Sequence, residues 1–224
     1  MADLPQLDAQ PDLVERVHHA LSEAIGTGQL PPLARIRQED LARQLAVSRQ
    51  PVLQALRLLK QQGLVSDAPG RGVQVAPLDA ARIAQVYQVR GALDALAARL
   101  AAERHARLDP ALVDRGRAAV AGGDVQAMID ADIAFHRAIY AASGNPMIEQ
   151  SAQVHWQHIR RAMGATLQHS RVRETVWDEH AAIADTIAAG RAADAARLMS
   201  GHGQRASEHM ARQLGAAASR GDSA

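Results

Sequence analysis

The chain has 224 residues, enough for two domains of about 100 residues each or one large one. Hydrophobic residues make up 47% and charged residues 22%, which excludes a disordered chain, and only 2% are aromatic, which argues against an all-β fold and for a mostly helical one. With a net charge of +1, no cysteine, no bilayer-length apolar run and no apolar core in Met1–Pro11, the composition excludes disulfides, thiolate metal sites, a membrane span and a signal peptide, and it fits a cytoplasmic protein.

Leu13, Val14, Val17, Leu21 and Ile25 mark a first amphipathic helix, stopped by Gly26, Gly28 and Pro31-Pro32. A short helix follows over about 38–45, with Leu41, Ala42 and Leu45 apolar. Ala46-Val47 makes a tight connection. Ser48 then stands at the N-cap of a helix over about 49–62, whose inner face carries Val52, Leu53 or Ala55, Leu56 and Leu59. Leu64-Val65-Ser66 and Val73-Gln74-Val75 are short β-like runs joined by a turn-rich tip, Asp67–Gly72. Helix, helix, turn, helix and a two-stranded wing describe a winged helix-turn-helix over 8–78.

Residues 33–72 carry Arg35, Arg37, Arg43, Arg49, Arg57, Lys60 and Arg71 against Glu39, Asp40 and Asp67, or seven minus three, +4 locally. On charge alone this is a solvated surface as readily as a polyanion face. The architecture decides more. The second helix of such a pair enters the major groove with its N-terminal residues nearest the bases. Here those are Ser48, Arg49 and Gln50. Arg49 can take a guanine edge bidentately and Gln50 can pair with adenine or a phosphate. Arg71, between two glycines on the wing tip, can approach the backbone or the minor groove, and Arg37 is a further candidate DNA contact.

Gly28-Gln-Leu-Pro-Pro32, Asp40-Leu-Ala-Arg-Gln-Leu-Ala-Val-Ser-Arg-Gln-Pro-Val52, Gly63-Leu-Val65 and Gly70-Arg-Gly72 resemble the GntR superfamily of bacterial transcription regulators. Two positions depart from that pattern. Leu53 stands where members usually carry an arginine, and Glu39 where many carry a basic residue. The resemblance implies DNA binding, and the two departures remove cationic contacts from its expected face.

From Asp79 onward the pattern is helical. Helices are expected near 79–104, 108–121, 123–142, 146–168, 174–189 and 192–214, a six-helix bundle over 79–215 with a flexible tail at 216–224. Asn145-Pro146 starts one helix and Gly190 breaks the last two apart. Several ionisable groups lie on stripes that should be buried. Asp132 and His136, four residues apart, share a face with Met128, Phe135 and Ile139. His180 shares one with Val176, Ile183 and Ile187, and His202 with Leu198, Met199, Ala206 and Met210. His180 and His202 flank the turn at Gly190 by roughly 15 and 18 Å of helix, so they can meet at one height. One carboxylate and three imidazoles suit a divalent transition metal, zinc foremost, with nickel, manganese or iron as options. A histidine on an apolar face is also an ordinary core residue, and Asp132–His136 an ordinary helical pair. The other histidines show no such convergence, although His155 and His158 can line a cavity. Arg90, on the stripe Ile83, Val86, Leu93 and Ala97, needs a counter-ion, which is either Asp94 or a ligand carboxylate.

Val89-Arg-Gly-Ala-Leu-Asp94, Asp132-Ile-Ala-Phe-His136, Glu179-His180 and His202 resemble the effector-binding FCD domain of the FadR-type branch of that superfamily, and six helices are similar to its VanR-like subgroup. The resemblance covers residues 10–212. It implies metal ligation by Asp132, His136, His180 and His202, and a small organic acid beside them facing Arg90. It also implies a homodimer on a palindromic operator, most commonly a repressor relieved by ligand. The rival reading is a metal-dependent hydrolase built on the same four residues.

Overall fold

The computed structural model describes residues 12–167 and 174–221. Residues 8–11, 168–173 and 222–224, which fall within the expected domains and tail, lie outside them. The chain divides into two compact units, 1–77 and 78–224.

The N-terminal unit contains α1 (Asp12–Gly26), β1 (Arg35–Ile36), α2 (Gln38–Gln44), α3 (Arg49–Gln61), β2 (Val65–Asp67) and β3 (Val73–Val75). Its core joins Val17, Leu21 and Ile25 of α1 to Val52, Ala55, Leu56 and Leu59 of α3, closed by Leu64, Val65 and Val75. Leu13 belongs to the same stripe but is exposed at the helix start. Leu53 is half-buried, so Ala55 takes the inner position that the pattern left open between them. Between α2 and α3, Ala46 adopts a left-handed backbone, φ 52°, and the Val47 amide donates to the Ala42 carbonyl at 3.0 Å. That turn sets the angle between the two helices.

The wing has three strands, not the two expected. β3 lies between β1 and β2, both antiparallel to it, in the order β1-β3-β2. Val65 faces Val75 across β2 and β3, and Ile36 faces Val73 across β1 and β3. A two-residue strand directly followed by a helix leaves no alternation to read, so β1 shows only through its partner.

The C-terminal unit is all-helical: α4 (Ala80–Glu103), α5 (Ala111–Gly122), α6 (Val125–Ser143), α7 (Pro146–Thr166), α8 (Glu174–Ala188) and α9 (Ala192–Gly221). The helix starts follow from side-chain caps. Asp79, Asp124 and Asn145 accept backbone amides at the heads of α4, α6 and α7, and Pro146 occupies the first turn of α7. The last helix runs past the expected end at 214, so the tail expected from 216 begins as helix through Gly221. Glycine and small polar residues read as a fraying end, but Ala216, Ala217 and Ala218 are strong helix formers that follow an existing helix, and propagation is easier than nucleation.

Alanines let the long α4 approach its neighbours closely. Ala97, Ala98, Ala101 and Ala102 are all fully buried, and they pack against larger groups such as Phe135, Ile139, Trp156 and Ile183. Two glycines are required by contact. Gly190, at φ 72° between α8 and α9, lies so close to the His105 ring that a Cβ there would fall 2.2 Å from it. A Cβ at Gly116 would fall 2.0 Å from the Trp177 ring. Gly116→Ala is therefore expected to destabilise the protein by about 1–3 kcal/mol through overpacking, read as a lower urea midpoint at unchanged slope.

Candidate functional site

In the N-terminal unit, Arg37, Ser48, Arg49, Gln50 and Arg71 are all exposed. Ser48 occupies the N-cap of α3 with extended backbone, but its side chain makes no capping hydrogen bond. The expected cap is thus positional only, and the hydroxyl is left for another acceptor or donor. Arg49 opens α3 and pairs with Glu39 of α2 at 2.9 Å, both side chains about two-thirds exposed. The residue that departs from the family pattern therefore holds the guanidinium expected to read bases. Arg71 lies at the wing tip between Gly70 and Gly72, both at positive φ. Arg35 donates to the Pro69 carbonyl at 2.9 Å and so braces that tip. Lys60 is bound by Asp67, which removes one cation from the basic surface.

In the helical unit, α6 supplies Asp132 and His136, α8 supplies His180 and α9 supplies His202. One ligand atom from each can be chosen so that all four lie within 4.8 Å of one another. Two ligand atoms of one ion with bonds of about 2.1 Å can stand no more than about 4.2 Å apart, so the cluster would need only slight contraction to hold an ion. The Nε2 atoms of His180 and His202 face each other at 3.3 Å, and Asp132 Oδ1 lies 3.6 Å from His180 Nε2. His136, His180 and His202 are buried. Phe135 stacks on His180 at 4.2 Å between ring centres, and the Trp177 edge closes its other side at 4.6 Å.

The donor chemistry fits a cation. His202 Nδ1 stands 2.8 Å from Glu179 Oε2, which places the proton on Nδ1 and leaves the Nε2 lone pair facing the cluster. His136 Nε2 is buried with no hydrogen-bond partner among the described residues. Burial, reinforced by Arg90, pushes the His136 imidazole down, and burial with His202 and His136 pushes His180 well down. The His202 Nε2 lone pair, the unpartnered His136 Nε2 and the Asp132 carboxylate thus converge with His180, an arrangement a divalent ion would satisfy. Glu179, hydrogen-bonded by His202 and by Arg205 at 2.7 Å, is lowered to about 2. It stays ionised and orients its histidine.

Arg90 and Asp94 form a buried pair, Nε to Oδ2 3.2 Å, each side chain 3% exposed. The guanidinium also lies over the Trp156 ring, 4.2 Å from its centre. Asp94 further accepts the Tyr140 hydroxyl and stands 3.6 Å from His136 Nδ1. Burial opposes its charge, but Arg90 and His136 beside it hold the carboxyl well below the usual carboxylate range. Asp94 is thus the counter-ion expected for Arg90 and also supports a metal-site histidine. Asp94→Asn leaves Arg90 uncompensated and is expected to cost about 3–5 kcal/mol by chemical denaturation, whereas Arg90→Met with Asp94→Leu costs less. Neither Asp94 nor Glu179 stands out in the sequence as a supporting residue. Their partners lie 42 and 23 residues away, and only the fold brings them together.

A cavity of about 310 Å3 adjoins the cluster. Asp132, His136, His202, Arg90, Asp94 and Glu179 line one part, and Met128, Met163, Leu167, Val176 and Met210 line an apolar part. Its size is at the small end of ligand sites and suits a small metabolite. His155 and His158, expected as possible lining, are absent from its wall, and His209 is present.

A winged DNA-binding unit and a helical unit enclosing a polar-headed, ligand-sized cavity define a transcription regulator with an effector domain. Residues 13–75 match the bacterial regulatory proteins of the gntR family and residues 85–205 match the FCD domain, and the chain belongs to the GntR family of transcription regulators with an FCD domain. It is 32% identical to an HTH-type transcriptional regulator in an unstable DNA locus of Streptomyces ambofaciens, over 78% of this chain and 75% of that one. It is also 32% identical to a probable D-xylose utilization operon transcriptional repressor of Paenarthrobacter nicotinovorans, over 54% of this chain and 55% of that one. A GntR transcriptional regulator from Rhodococcus sp. RHA1 shares the fold with a TM-score of 0.72 at 25% identity, over 88% of this chain and 96% of that one. These are regulators, and the hydrolase reading of the Asp–His cluster is set aside. No helix among the described residues is long and apolar enough to cross a membrane.

Proposed function

We propose that the protein is a cytoplasmic, dimeric repressor whose grip on a palindromic operator changes when a small organic acid binds beside a divalent metal, zinc foremost. The observation that carries this reading is the convergence of Asp132, His136, His180 and His202 on one point, with Asp132, His136 and His202 lining a ligand-sized cavity, in a chain that also bears a winged helix-turn-helix. The four residues would hold the ion. When bound, it would supply the positive charge that attracts a carboxylate. Arg90 lines the same cavity but is already balanced by Asp94, so its part is to donate hydrogen bonds to the acid rather than to attract it by net charge.

For DNA, Arg49 and Gln50 are proposed to reach base edges, and Arg37, Ser48 and Arg71 the backbone. A second copy would place the same α3 in the other half of the site, since two-fold protein symmetry is mirrored in a palindrome. Val89 on α4, and Met147 and Val154 one heptad apart on α7, are exposed and offer apolar contacts for that copy. The similarity to a named repressor supports the sign of regulation.

Selection of bound duplexes from a randomised pool at near-physiological salt tests the DNA half of this reading. The expected result is enrichment of a palindrome with half-sites one helical turn apart. Enrichment of a single unrepeated half-site, or of nothing, would overturn it.

A further inference from the structure

Tyr87, Arg90 and Asp94 are spaced three and four residues apart on α4, so they share one face, and all three line the cavity. The two charged members are engaged. Arg90 is held by Asp94, and Asp94 also accepts the Tyr140 hydroxyl. Elsewhere on the wall, His202 and Arg205 are held by Glu179. Tyr87 differs from these. The residue is only 7% exposed, yet its hydroxyl makes no hydrogen bond among the described residues and is open to a water-sized molecule. A buried tyrosine ordinarily finds a partner for its O–H within the protein. One that instead leaves the group open on a cavity wall offers it to whatever fills the cavity.

The charge state of the phenol limits what it can recognise. Burial pushes it up, Arg90 offsets part of that, and Asp132 and Asp94 add to it. Tyr87 therefore keeps its proton. It is a neutral donor and supplies no positive charge to draw in an anion. Arg90 stands beside it, 5.9 Å from the ring centre, but is balanced by Asp94. The group that Tyr87 suits is an uncharged oxygen with a lone pair, a hydroxyl or a ketone.

We propose that Tyr87 selects the effector by such an oxygen, so that the ligand is a hydroxy or oxo acid rather than an unsubstituted alkanoate. This rests on the reading of the cavity as the effector pocket and adds the group that discriminates within it. An acid with an oxygen in reach accepts the Tyr87 proton. An acid without one shuts the hydroxyl off from water and leaves it unpaired, which is costly.

Calorimetric titration of the zinc-loaded full chain with pentanoate, its 2-, 3- and 4-hydroxy derivatives and its 2- and 4-oxo derivatives tests this. The expected result is at least one derivative binding about tenfold tighter than pentanoate or better. The hydroxy and oxo arms show which oxygen is preferred. Tyr87→Phe keeps the ring and removes only the hydroxyl. It should bring that derivative to within about twofold of pentanoate, leave pentanoate itself within twofold, and leave zinc content and thermal midpoint unchanged. An advantage that survives Tyr87→Phe would belong to the ion or another side chain and would overturn the assignment. Equal weakening of pentanoate and its derivatives in Tyr87→Phe would also overturn it, since the hydroxyl would then serve the carboxylate or the packing. Pentanoate that binds with no gain for any derivative would overturn it while leaving the effector pocket standing. Failure of every acid to bind would overturn the pocket reading itself.

Discussion

Stripping divalent metal from the loaded protein is expected to lower its Tm by roughly 10 °C. At an ion concentration about a thousand times Kd, binding to the folded state alone contributes about 4 kcal/mol. A protein of this size shifts by about 2–4 °C per kcal/mol. The physical basis is the inward-facing set of Asp132, His136, His180 and His202, whose ligand atoms come within 4.8 Å of one another only in the folded chain. His180→Ala removes a donor from the centre of the set and should reduce zinc affinity by more than about a hundredfold, measured by competition with a chelating dye. Glu179→Gln keeps all four donors but loosens His202, and should cost about 10–100-fold. A protein retaining less than a tenth of a metal equivalent per chain after reconstitution would show the histidines to be a purely structural cluster.

The second large effect is on DNA. Arg49→Ala should weaken binding to a selected operator by about 1–3 kcal/mol, or roughly 5- to 150-fold, and relax the sequence preference at the base it contacts. Glu39→Gln should act in the opposite direction. The Glu39–Arg49 pair is about two-thirds exposed on both sides, so its loss costs little stability. Removing a carboxylate beside the phosphate backbone should tighten binding to unrelated duplexes, and Arg49 freed from its partner should bind phosphate as readily as a base. The expected outcome is a few-fold gain in non-specific affinity with a smaller gain, or none, on the operator. Fluorescence anisotropy across a salt series measures both.

Helix positions were legible because their signals are local. Asn145-Pro146, Asp124 and Gly190 act within one turn of themselves, and the apolar stripes of α6, α8 and α9 placed four ionisable side chains inward. The antiparallel hairpin at Gly190 was enough to bring His180 and His202 to one height. Residues whose role depends on another helix were not legible in the same way. Asp94 reads as the partner of Arg90 four residues away, yet it also meets His136 and Tyr140 of α6. His209 carries no signal beyond its spacing from His202, and only the fold sets it on the cavity wall. β1 was missed for the same reason, since two residues become a strand only when β3 lies beside them. Glu39 reads as a lost DNA contact, and only the turn at Ala46 shows that it reaches Arg49.

Operator affinity measured with and without acid, in metal-loaded and metal-stripped protein, tests the central claim most directly. If the cavity and the winged unit are coupled, a bound carboxylic acid should change the Kd for the selected duplex by about 5- to 150-fold in the loaded protein, the usual range of a coupling free energy between sites. In stripped protein the same acid should leave it unchanged. An acid that binds the loaded protein yet moves operator affinity equally in both forms, or in neither, would contradict the account.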